Sequence, residues 1–130
     1  MAGMKRQHYL RIVFAALLIA VISACETVPS SGPAALAGQW TNSLGTVWTI
    51  NPNGSFSVVG TKPKRQIWGN ITVAGDTITI QETRGQSPKN CKLAATYKFS
   101  RPHPDTLAFT LVKDTCKERI KNVTLPWHRQ

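Results

Sequence analysis

From Gly38 to Leu125 the chain is cut into short β-prone runs by turn residues that recur every few positions. The runs are Gly38–Asn42, Thr46–Ile50, Ser55–Gly60, Gln66–Ala74, Thr77–Thr83, Leu93–Ser100, Thr106–Lys113 and Arg119–Leu125. Within them apolar residues fall on alternate positions: Phe56 and Val58; Ile67, Ile71 and Val73; Ile78 and Ile80; Tyr97 and Phe99; Leu107, Phe109 and Leu111. Alternation of this kind puts one face of a strand on a core and the other in water. Asn51-Pro52-Asn53-Gly54 is a strong turn, because proline presets φ and Asn-Gly accepts positive φ. Gly75-Asp76 and the Pro102/Pro104 pair mark two more. No stretch keeps a helical period for more than a turn. The expected fold is all-β: a small eight-stranded antiparallel up-and-down barrel, with a sandwich as the alternative. Sequential hairpins without a long crossover favour the barrel, which also removes exposed edges. With a modest apolar supply, its lumen is expected to be mostly filled.

Ahead of this region the composition is different. Lys5, Arg6 and Arg11 precede an uncharged run from Ile12 to Ile22, and no acid occurs in residues 1–24. The run has the length of a secretory signal core and is short for a bilayer span, which takes roughly 20 apolar residues. Ile22-Ser23-Ala24-Cys25 follows. That order of one aliphatic, two small residues and a cysteine resembles the lipobox of bacterial lipoproteins. The resemblance implies cleavage before Cys25, a diacylglycerol on its sulfur and an acylated N-terminus. Residues 1–24 are then the signal peptide and 25–37, rich in Pro, Ser, Gly and Ala, a lipid-anchored tether. Ala34-Ala35-Leu36 has an alternative role as a short helical turn that plugs the barrel end. The barrel domain is placed at 38–130. Glu26 follows the cysteine where an aspartate would favour inner-membrane retention, so the outer membrane is the expected location.

Removing the signal leaves about 106 residues, enough for one small domain. The whole chain carries a net charge of +10. Without the leader it is about +7, which favours anionic neighbours such as lipid headgroups, acidic envelope polymers or an acidic protein surface. Nucleic acid is not expected as a partner of an exported lipoprotein. Once Cys25 is assigned to lipid, Cys91 and Cys116 remain as an even pair in a compartment that permits oxidation. A disulfide is the leading reading; a metal site with His103 is the alternative, although the spacing matches no standard zinc pattern.

Leu36-Ala37-Gly38-Gln39-Trp40 resembles the opening strand of the calycin superfamily, where Gly-x-Trp closes one end of a small barrel. The stretch Gly38–Thr46 is similar to the first strand of avidins, a likeness that points to Asn42 as a polar ligand contact. The broader resemblance is to small lipocalin-like domains of bacterial lipoproteins. It rests on Gly38-Gln39-Trp40, Asn53-Gly54-Ser55-Phe56, Gly75-Asp76-Thr77-Ile78 and Asp114-Thr115-Cys116-Lys117-Glu118-Arg119, in that order. Bacterial metalloprotease inhibitors begin with a similar Leu-x-Gly-x-Trp, but their first cysteine lies early in the barrel.

No nucleophile, zinc-protease or phosphate-loop motif is present, and His103 with Asp105 is the nearest approach to a catalytic pair. The protein is therefore expected to bind rather than catalyse, with no cofactor and no metal. Trp40, Asn42, Trp48, Trp68 and Tyr97 are the candidate ligand-binding residues, and Phe99 and Phe109 are expected inside with them. Lys62, Lys64 and Arg65 form the densest basic cluster and are the candidate contact with an anionic surface. Lys117, Arg119 and Lys121 alternate and are expected on the solvent face of the last strand. The expected function is that of a lipid-anchored binding or interaction module of the cell envelope. The alternatives are an inhibitor of an envelope-directed protease or lysozyme, and a carrier of a small apolar ligand.

Overall fold

The computed structural model describes residues 31–130; the expected signal peptide, 1–24, and the expected lipidation site Cys25 lie outside them. Eight strands close into an antiparallel barrel in sequence order: β1 (Gly38–Thr41), β2 (Val47–Ile50), β3 (Ser55–Thr61), β4 (Lys64–Ala74), β5 (Thr77–Gly85), β6 (Ala95–His103), β7 (Thr106–Lys113) and β8 (Trp127–Arg129). Closure is made by β8 against β1, with Trp40 opposite Arg129 and Thr41 opposite His128. The up-and-down barrel expected from the turn spacing is the fold found.

One element was not legible as such. The segment expected as the eighth strand, Arg119–Leu125, is instead the helix α1 (Lys117–Val123), and the closing strand follows it. Cys116 caps the helix, its sulfur accepting from the Arg119 N–H at 3.3 Å. Asp114 Oδ1 takes the Cys116 N–H at 2.8 Å, so the turn into the helix is held by side chains on both sides.

The two ends of the barrel differ. At one end a 3-10 turn, Gly32–Leu36, plugs the opening, which realises the second role read for Ala34-Ala35-Leu36. Leu36 is buried and its carbonyl accepts the Trp40 indole N–H at 2.9 Å. The Arg129 guanidinium lies 4.4 Å from the centre of the Trp40 ring, a cation–π contact that closes the plug from outside. Turn 51–54 sits at this same end: Gly54 has φ +94°, and the space of its missing side chain is occupied by the Ile71 carbonyl and Pro33.

Alternation along the strands fills the middle. Ile78 and Ile80 of β5, Ile71 of β4 and Phe56 of β3 all point inward and are buried. Gly69 lies on the inward face of β4, where a Cβ would sit 2.6 Å from the Phe56 ring and 2.2 Å from the Gln81 carbonyl. Only glycine fits there, and its absence of side chain lets Phe56 cross the lumen. Trp48 is the hub of the aromatic packing, with Trp127, Phe109 and Phe56 centred 5.3, 5.5 and 6.0 Å away.

Candidate functional site

The opposite end is open. Around it stand the 42–46 turn, the β3–β4 hairpin, the β5–β6 loop and α1. A cavity of about 380 Å³ runs inward from this mouth, within the range of small-molecule sites. Its floor is apolar and aromatic, made by Trp48, Phe56, Val58, Ile80, Val123 and Trp127. The lumen is thus filled at the plugged end and hollow at the other, which corrects the expectation of a mostly filled interior. The reason is geometric: β8 covers only three residues, and the chain before it coils into α1 at the rim, with Val123 lining the cavity, instead of continuing the sheet.

One wall of the mouth is fastened by a buried arginine. Arg119 donates from Nε to Asp114 Oδ2 at 2.7 Å, and from Nη2 to Asp114 Oδ1 at 2.7 Å and the Leu93 carbonyl at 2.9 Å. Its Nη1 reaches the Cys91 carbonyl at 2.8 Å and Glu82 Oε2 at 3.3 Å. All five guanidinium N–H donors are satisfied in this way. The Asp114 side chain is fully buried and also accepts from the Tyr97 hydroxyl. Burial alone would raise the Asp114 carboxyl, but Arg119, Tyr97 and the Cys116 N–H outweigh it and hold it below the usual carboxylate range. Burial pushes Glu82 above its ordinary value, against the partly compensating pull of Arg119. Tyr97 is raised as well, first by burial and then by its bond to Asp114.

The same wall carries a disulfide. Cys91 and Cys116 are bonded, which decides between the two readings of that pair; His103 stands on β6 beside the turn at the plugged end. Asn90 and Thr115 add two hydrogen bonds across the joint, at 3.0 and 2.9 Å. The β5–β6 loop, the end of β7 and the start of α1 are therefore one unit.

The expected site residues divide. Trp48 borders the cavity, and its buried indole N–H has no acceptor among the described residues. Trp40 belongs to the plug at the other end. Asn42 does not face the cavity: its Oδ1 takes the N–H groups of Leu44 and Thr46 at 3.0 and 3.3 Å, and its Nδ2 reaches the Asn122 carbonyl at 3.3 Å. Its amide shapes the 42–46 turn and ties it to α1. Tyr97 is buried in the wall behind the mouth, bound to Asp114. Trp68 is on the outside of the barrel, with Arg84 4.1 Å above its ring. The alternation that turns Ile67, Ile71 and Val73 inward requires this. Phe109 is buried, and Phe99 packs against the core half-exposed. Trp127, which lies past the last of the expected strands, is 1% exposed and forms part of the floor.

The basic residues divide as well. Lys62 and Lys64 are exposed on the β3–β4 hairpin at the mouth, while Arg65 pairs with Glu118 of α1 at 3.0 Å. Lys117 and Lys121 are exposed as expected, but Arg119 between them is buried, because the segment coils rather than extends. Among the described residues no group of three or more His, Cys, Asp or Glu side chains is placed to hold a metal ion.

Fold and cavity together define a small antiparallel barrel with one plugged end and one open, apolar-floored end. No family model, curated protein or solved structure matches the chain.

Proposed function

We propose that this protein is a lipid-anchored, non-enzymatic binding module of the bacterial outer membrane that holds a small, largely apolar molecule in the barrel mouth. The cavity carries the reading: an apolar floor with the rings of Trp48, Phe56 and Trp127 stabilises an apolar body of small-molecule size. The first described residues, up to Leu36, lie at the plugged end, the opposite end from the mouth.

Two measurements test the two halves of this proposal. The neutral dye N-phenyl-1-naphthylamine should bind one to one, with energy transfer from Trp48 and Trp127. Val58→Trp, which places a large ring in the cavity, should weaken that binding about tenfold while leaving the fold intact. Equal dye binding by the variant and the parent would count against a site in the mouth. Separately, Cys25→Ser should abolish both membrane partitioning and labelling by a fatty-acid probe. Labelling that persists in this variant rules out the anchor.

A further inference from the structure

The anionic-surface contact expected at the β3–β4 hairpin has a stronger counterpart elsewhere, assembled from residues far apart in sequence. The register of β6 and β7 sets Thr96 opposite Lys113 and Lys98 opposite Thr110. Ala95 and Tyr97 are buried, so Thr96 and Lys98 point outward, and Lys98 lies diagonally from Lys113 on the outer face. Lys92 joins them from the loop before β6, where its carbonyl accepts from Gln81 at 2.7 Å. All three lysines are exposed.

Apolar side chains stand among them. A shift of register between Tyr97 and Thr96 places an extra residue in β7 at this point. Leu111, which alternation alone would turn inward, is 41% exposed, and Val112 is 54% exposed. Leu93 is 60% exposed beside Lys92. Three of the four large exposed hydrophobics among the described residues therefore fall in one place, Leu44 being the fourth. Lysines outnumber the accessible acids here: Asp114 is fully buried and bound to Arg119, and Asp76, exposed next to the Thr77 that pairs with Lys98, is the one carboxylate near them at the surface.

We infer that this β6–β7 patch rests on an anionic bilayer surface, with Lys92, Lys98 and Lys113 at the headgroups and Leu93, Leu111 and Val112 in the interface. The combination selects this partner. Lysines alone would suit any polyanion, and exposed aliphatics alone any apolar face; a bilayer with acidic headgroups supplies both in one layer. The inference does not depend on what the mouth holds.

The test uses the full chain with p-benzoylphenylalanine in place of Val112, reconstituted in vesicles of phosphatidylglycerol and phosphatidylethanolamine. Illumination should give protein bearing the mass of one phospholipid. The same probe at Asn70, exposed on the outer face of β4, should give little. Combining Lys98→Glu with Lys113→Glu should lower the adduct at 112 about tenfold, as should vesicles of phosphatidylcholine. Far-ultraviolet circular dichroism confirms that each variant keeps its sheet. Equal adducts at 112 and 70, a yield unchanged by the charge reversals, or adducts to protein instead of lipid would each overturn the proposal.

Discussion

Arg119→Met should lower the unfolding free energy by about 3–5 kcal/mol, measured by urea denaturation near neutral pH. The guanidinium is 7% exposed and is the partner of two carboxylates, one fully buried. Removing it strands Asp114 and Glu82 in a poorly solvated wall, and leaves the Cys91 and Leu93 carbonyls without their donor. Arg119→Lys should recover only part of the loss, since a single ammonium cannot reach acceptors on three separate elements. A loss below about 1 kcal/mol for the methionine variant would mean that the network is not what holds the wall.

The same network fixes the response to acid. Asp114 is held below its unfolded value, so its contribution is complete above the unfolded carboxylate range and is lost as pH falls through its depressed folded value. Glu82 has the opposite sign: raised in the fold, it favours the folded state at low pH, and that advantage is gone once pH has risen through its folded value. The parent should therefore lose thermal stability most steeply on the acid side, where Asp114 protonates. Arg119→Met should flatten that slope below about pH 4, the unfolded aspartate range, because Asp114 no longer has its main partner.

The second large effect concerns the disulfide. It joins residues 25 apart, and in the chain-entropy model its loss costs about 3 kcal/mol. Cys91→Ala, Cys116→Ser and the double variant should be destabilised to the same extent, because each loses one and the same bond. Serine is chosen at 116 so that an N-cap acceptor for the Arg119 N–H is retained. Single losses that add up in the double variant would exclude the pairing in solution. Dye binding in the mouth should survive in all three, since the Asn90–Thr115 bonds and Arg119 still hold the loop to the helix.

Much of the barrel was legible because its signals are local. Turn residues at Asn53-Gly54 and Gly75-Asp76, and apolar residues at every second position of β4, β5 and β7, report strand and register without reference to distant residues. The helix was not read because seven residues give a period little room to show. Lys117, Arg119 and Lys121 mimic a strand's polar face, whereas Cys116, Ile120, Val123 and Trp127, three or four apart, carry the helical spacing. That spacing was the available signal, and it would also have moved Trp127 to the interior.

The site was harder. An arginine in a basic chain reads as solvated, and only the folded arrangement brings Asp114, Glu82 and two carbonyls around it. Trp68 has the chemistry of an interior residue, although the parity of its own strand turns it outward. Asn42 was singled out through a likeness to another family's ligand contact. Its amide is occupied by the turn it stabilises and by the helix.

The mouth is fastened unequally around its circumference. On the β5–β6 side a covalent bridge and a fully satisfied guanidinium bind three elements into a fixed jamb. On the other side the β3–β4 hairpin meets α1 through Arg65 and Glu118, whose side chains are 38% and 60% exposed. An ion pair so open to water contributes roughly 0–1 kcal/mol and weakens further as salt is added. The hairpin side of the rim is thus held more loosely than the bridged side, and its amide hydrogen exchange should quicken as salt is added.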